Sequence, residues 1–174
     1  MIDSVIFTEY SSVTEFNSID VLSKQELVMS QVLQMYNSAG PEQFSKMVCQ
    51  FAPYFSTINP QLRDLRPGFA EVNMPFRKEI TNHLGTVHAI ALCNAAEFVA
   101  GLMTDVSIPQ GARWIPKGMT VEYLAKAKTD ITARADGSAV DWNTAGDKEV
   151  LVEALDTDGK KVFTASIKMN VKLG

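Results

Sequence analysis

The chain has 174 residues, 46% of them hydrophobic and 21% charged, with a formal net charge of −4. That length can bury a core without metals or disulfides, the composition is that of a globular protein, and the charge gives no support to nucleic-acid binding. Cys49 and Cys93 lie far apart with no metal or CxxC spacing and read as reduced, buried thiols, so neither a disulfide framework nor a zinc site is expected.

Residues 1–20 are acidic, rich in Ser and Thr and without clear periodicity, and read as an extension. They carry no Lys or Arg, which argues against a signal or transit peptide. Ser23 and Glu26 then form a capping-box pattern that opens a helix with Leu27, Met29, Val32, Leu33 and Tyr36 on its apolar face. Ser38-Ala39-Gly40-Pro41 stops that helix, and Pro41 suits the first position of a second, "PEQFSKMVCQF". The next stretch, "APYFSTINPQLRDLRPG", reads as a connection punctuated by prolines.

From Gly68 the period changes to two. Ala70, Val72, Met74 and Phe76 alternate with Phe69, Glu71 and Asn73, which predicts a half-buried strand that Pro75 ends or places at an edge. A helix is predicted from about Thr86 to Met103, closed by Gly101. It is apolar on nearly all sides, and such helices lie inside. Glu97 interrupts its apolar run, so no membrane span is expected. The remainder is β-rich. "GMTVEYLAKAKTDITARAD" reads as one long strand with Met119, Val121, Tyr123, Ala125 and Ala127 on one face, and "DGSAVDWNTAGD" as a polar loop. "EVLVEALD" and "KVFTASIKMNVKL" form a hairpin around Thr157-Asp158-Gly159-Lys160.

This order predicts an α+β fold: an antiparallel sheet wrapped around one long central helix, with extra helices before it. Ala89, Ala91, Ala95, Ala96 and Ala100 would let the sheet approach that helix closely. One domain is expected over 1–174, with 1–59 as N-terminal extension and helices and 60–174 as core.

Three polar residues, His88, Asn94 and Glu97, interrupt the otherwise apolar helix. A carboxylate near the middle of such a helix is the most informative feature of the chain, because carboxylates are rarely buried without a partner. Asn82, Gly85, His88 and Glu97 also have a recognisable spacing: Asn, two residues, Gly, two residues, His, and an acidic residue nine positions later. This pattern, with "RPGFAEVNMPF" before it and "MTVEYLAKAKTDITARAD" after it, resembles the hotdog-fold thioesterase superfamily, in particular its PaaI-like branch of acyl-CoA thioesterases. The resemblance runs from about residue 60 to 173. It implies a hotdog fold, thioester hydrolysis at a dimer-interface site, and Glu97, Asn82 and His88 as catalytic residues. Gly85, Ala89, Ile90 and Asn94 would then contact substrate. Ala89 and Ile90 replace the family's two glycines after the His, where a backbone N–H polarises the thioester carbonyl.

The chemistry follows from the residues as well. Free N–H groups at a buried helix start can hold an oxyanion, and a desolvated carboxylate can act as base or nucleophile. Nine residues of helix turn through about 900° and rise roughly 13 Å, so His88 and Glu97 of one chain point to opposite sides. A site using both ends is therefore expected to be shared across a two-fold axis, in a homodimer or a dimer of dimers.

Plainer readings stand beside these. Glu97 would be structural if it bonded Asn94 one turn back, and Asn82 would be structural if it only satisfied loop backbone groups. His83 and His88 are five apart, the wrong offset for a helical metal pair, so no metal is expected. No cofactor is expected beyond coenzyme A as part of the substrate. Arg113, Lys117, Lys126 and Lys128 are candidates for its phosphates, with a solvated strand face as the plainer account. The methionines and aromatics of residues 27–55 read as packing, with acyl-chain lining as the sharper alternative. The functional expectation is a cytoplasmic acyl-CoA thioesterase acting on a small-molecule acyl thioester, with no nucleic-acid or membrane partner. Its rival is a non-catalytic hotdog module that binds an acyl thioester or fatty acid. A dehydratase of this fold is disfavoured by the absence of a hydratase-type Asp/His pair.

Overall fold

The structure, a computed structural model, describes residues 30–174. Helix α1 spans Gln31–Phe51 and is capped by Ser30, whose Oγ accepts the Leu33 N–H at 3.1 Å. The Ser23 and Glu26 capping pattern lies outside the described residues. At Gly40 the backbone leaves helical geometry (φ 75, ψ 163) and Pro41 restarts it, so the expected stop is a kink between two helical segments. Leu33 and Phe44 point inward. Buried Ser45 donates to the Pro41 carbonyl and accepts the Leu62 N–H at 2.9 Å, which fastens α1 to the first strand.

That strand, β1 (Gln61–Arg66), corrects the sequence reading of a connection. Its buried residues, Leu62 and Leu65, are three apart, because a bulge between Leu62 and Asp64 breaks the register with β2 (Phe69–Met74). The alternating signal that marks a strand is thereby erased. A 3₁₀ turn, Pro53–Ile58, joins α1 to β1. In β2, Ala70, Val72 and Met74 are fully buried as expected, and Pro75 marks the strand's end, since β2 pairs on both sides; Phe76, read on the same face, lies beyond that end and is exposed.

The central helix, α2, spans Ala89–Ser107. It starts three residues later than expected and passes through Gly101. That glycine is a packing position: a Cβ there would lie 2.9 Å from the Trp114 ring. Six antiparallel strands wrap α2 in the order β1-β2-β4-β5-β6-β3, with β3 Arg113–Tyr123, β4 Ile131–Asp136, β5 Gly146–Leu155 and β6 Lys161–Lys172. All six contact the helix. Ala95, Ala96 and Ala100 are fully buried, so the strands close down on a nearly smooth cylinder. By length and composition α2 could cross a membrane, but here the sheet encloses most of it.

The predicted single strand from Gly118 to Asp136 is two strands. β3 pairs with β6 at one edge, whereas β4 pairs with β2 and β5 in the middle. Residues 124–130 carry the chain between them, across the start of α2. The alternation runs on through this crossing because Ala125 and Ala127 still face the interior, which hid the break. The hairpin at Asp156–Lys160 is as read, with the Asp156 carboxylate accepting the Asp158 and Lys160 N–H groups. The loop before β5 is less polar than expected: Trp142 is buried in it and donates to the Gly137 carbonyl at 3.0 Å.

Candidate active site

The chain enters α2 through a fixed loop. Asn82 Oδ1 accepts the N–H groups of Leu84 (2.9 Å) and Thr86 (3.2 Å), and the Asn82 N–H donates to the Thr86 carbonyl. Gly85, at φ 67, takes the left-handed conformation that closes the turn, its N–H bonding the Asn82 carbonyl. Within the chain, Asn82 therefore shapes the loop, as the plainer reading had it. Val87 N–H donates to Ala127 O and His88 N–H to Ile80 O, so the loop is pinned on both sides.

His88 is the N-cap of α2. Its Nδ1 accepts the Ile90 N–H at 3.1 Å, which places the proton of a neutral ring on Nε2. Its carbonyl takes the N–H groups of Ala91 and Leu92. Of the first four N–H groups of α2, only that of Ala89 lacks an acceptor among the described residues. The free donors expected at the helix start thus reduce to one in this arrangement, because His88 closes the Ile90 position.

On a helix advancing about 100° per residue, Ile90, Cys93 and Glu97 fall within a stripe roughly 60° wide. This is the face that the sheet leaves uncovered: Ile90 is 52% exposed, and Cys93 and Glu97 are half-buried. Glu97 is less buried than the sequence suggested, as are Cys49 and Cys93, and Glu97 forms no hydrogen bond or ion pair within the described residues. Asn94 flanks the stripe. It is buried, and its Nδ2 donates to Thr57 Oγ1 at 3.0 Å while its Oδ1 has no partner among the described residues. The Glu97–Asn94 bond of the structural reading is not made. Phe55 packs edge-on against Phe98 beside it, so the 3₁₀ turn forms one wall of the stripe.

Tyr123, at the end of β3, forms the other wall and was not singled out from the sequence. Its hydroxyl lies 3.3 Å from Cys93 Sγ. The Cys93 contact, with some burial, pushes the phenol up to about 12, so the hydroxyl keeps its proton. The only signal in the sequence was its place in the alternation of β3, which reads equally as core.

An open cleft of about 380 Å³ at the helix start is lined by Asn82, Thr86, Ala89, Leu92, Tyr123 and Lys126, among others. Of the four basic candidates for phosphate contact, Lys126 is the one that lines it, and Lys117 instead pairs with Asp147 at 3.4 Å. No residue of α1 lines this cleft. A larger groove of about 620 Å³ between α1 and β1 shares none of its lining. Among the described residues, no three His, Cys, Asp or Glu side chains are grouped to hold a metal ion.

The model of the family described as a domain of unknown function, DUF4442, matches residues 40–171. A crystal structure of a structural-genomics target is 61% identical with a TM-score of 0.77, over 84% of this chain and 99% of that one. A thioesterase from Haemophilus influenzae is 14% identical with a TM-score of 0.67, over 77% of this chain and 91% of its own. A thioesterase family protein from Silicibacter pomeroyi is 19% identical with a TM-score of 0.64, over 78% and 100%. At these last two identities the likeness is one of fold. None of the curated proteins matches the chain. With residues 40–171 inside its model, the chain belongs to the DUF4442 family and has the hotdog fold of the thioesterases it resembles.

Proposed function

We propose that the protein is an acyl-CoA thioesterase that works as a homodimer, or a dimer of dimers, in the cytoplasm. The observation that carries this reading is the Glu97 carboxylate, unpartnered among the described residues on the open stripe of a helix whose first N–H is also unpartnered among them. The Ala89 N–H receives the thioester oxygen, and Glu97 acts as base or nucleophile. As base, it takes a proton from water attacking the carbonyl carbon and returns it to the departing thiolate. Thioester and water thus become carboxylic acid and thiol. Ala89 and Glu97 are eight residues apart, roughly 12 Å along the axis, which is too far for both to serve one carbonyl. The carboxylate therefore serves the helix start of a second copy. Lys126, at the cleft, meets a phosphate of coenzyme A.

A second reading, a hotdog module that holds an acyl thioester or fatty acid without turnover, is favoured by Ile90. Its side chain stands exposed where the resembling family has glycine, and its N–H is taken by His88. A thiol-release assay over acetyl-, octanoyl- and palmitoyl-CoA separates the two. The thioesterase reading expects turnover that falls by about 10²–10⁴ in Glu97→Gln. Binding of these thioesters with no thiol released establishes the module instead.

A further inference from the structure

We propose that the Tyr123 hydroxyl is a catalytic hydrogen-bond donor to the thioester carbonyl, the second donor of the oxyanion site beside the Ala89 N–H. The inference rests on the thioesterase reading and adds a residue to it.

Three observations carry the inference. The first is a shortage: an oxyanion is best held by more than one donor, and His88 Nδ1 has removed the Ile90 N–H from the available set. The second is position. Tyr123 lines the same cleft as Ala89, and its hydroxyl touches Cys93, which sits one turn beyond Ala89 on α2. The phenol oxygen is thus held over the first turns of the helix, roughly one turn along the axis from Ala89 and beside the same cleft.

The third observation is the chemistry of the resting partner. A thiol sulfur is a weak acceptor and a weak donor, so the contact to Cys93 leaves most of the hydrogen-bonding capacity of the phenol unused. Tyr123 is 50% exposed, which leaves its hydroxyl free to turn from the sulfur to an incoming oxygen. A charged oxyanion accepts a far stronger bond than sulfur does, so the exchange favours the state in which charge has developed. The ring is steadied meanwhile by Phe163, whose centroid is 5.5 Å away.

The test uses Tyr123→Phe and Cys93→Ala in the full-length protein, with thiol release from octanoyl- and palmitoyl-CoA and thermal melting of each variant. Tyr123→Phe keeps the ring and removes one oxygen. It is expected to lower kcat by about 10²-fold with KM within roughly twofold, the pattern of a contact made in the transition state. If the Tyr123–Cys93 contact merely holds β3 to α2, the two variants should lose rate and melting temperature alike. The proposal expects Cys93→Ala to cost at least tenfold less rate than Tyr123→Phe. Equal losses, or a Tyr123→Phe variant with wild-type kcat, overturn it while leaving the thioesterase reading intact. Absence of turnover in the wild-type protein overturns both.

Discussion

His88 Nδ1 accepts the Ile90 N–H at 3.1 Å, so the side chain that starts α2 also closes one of the donors at its mouth. As a cap it satisfies an N–H that the helix itself cannot. His88→Ala is expected to lower stability by about 1 kcal/mol, the usual scale for a lost N-cap, while His88→Asn restores most of the loss. Urea midpoints of the three proteins measure this. Equal midpoints for the wild type and His88→Ala would exclude a capping role.

Ile90 sits on the open stripe with its side chain half in solvent, so its removal opens the approach to the helix start at little cost in packing. Ile90→Gly is expected to cost at most about 1 kcal/mol from backbone entropy. On the thioesterase reading it raises kcat/KM for the bulkier acyl-CoAs. A variant that binds acyl-CoA with unchanged affinity and still releases no thiol favours the binding module.

Gly101 lies under Trp114, and a Cβ would approach the ring to 2.9 Å. Gly101→Ala gains helix propensity but must displace an indole that is tied by its Nε1–H to Asp105 at 3.1 Å. We expect the clash to win, with a net loss of about 1–3 kcal/mol and a shifted tryptophan emission. A variant more stable than the wild type would show that the ring moves freely.

The parts of the fold that obey a simple period were legible in the sequence. The alternation of β2 from Ala70 to Met74, the burial of most of α2 and the Thr157–Lys160 turn all read correctly. β1 was missed because its bulge spaces Leu62 and Leu65 by three. The β3–β4 break was missed because Ala125 and Ala127 continue the alternation while the chain crosses from the sheet edge to its centre. The terminator role given to Gly101 failed because a glycine can also serve close packing in mid-helix. At the candidate site, spacing singled out Glu97, Asn82 and His88 but could not show which hydrogen bonds they make. The Asn94–Thr57 and Cys93–Tyr123 contacts join residues 37 and 30 positions apart, which no local pattern reports.

The Cys93 contact also predicts a titration. In the folded chain the Tyr123 phenol is held up to about 12, above the value near 10 of a free tyrosine. The folded state therefore holds this proton more tightly than the unfolded state. The contribution to stability is present in full below pH 10 and is lost as pH rises through 12. In a 295 nm absorbance titration, Tyr123→Phe should remove a component near 12, and Cys93→Ala should bring that component back toward 10. An unchanged titration curve in both variants would show that the Cys93 contact does not raise this phenol.

The shared site can be tested by complementation, using two variants that each remove one group. Ala89→Pro deletes the N–H at the first helical position, where proline is well tolerated. His88 already has the φ of −65 and ψ of 138 that a residue before proline needs, so the fold should hold and stability should not fall. Turnover is expected to fall by about 10²–10³, the scale for one lost oxyanion donor. Glu97→Gln removes the carboxylate and leaves the donor. When the two variants are unfolded together and refolded at equal amounts, about half the dimers are mixed. If each site takes Glu97 from one copy and Ala89 from the other, one site in every mixed dimer is intact, and activity returns to about a quarter of wild type. If one chain supplies both groups, mixing restores nothing. Sedimentation on the same samples establishes whether dimers form at micromolar concentration. A fully active monomer, or a mixture no more active than its parts, would remove the two-fold site and return Glu97 to the service of its own chain.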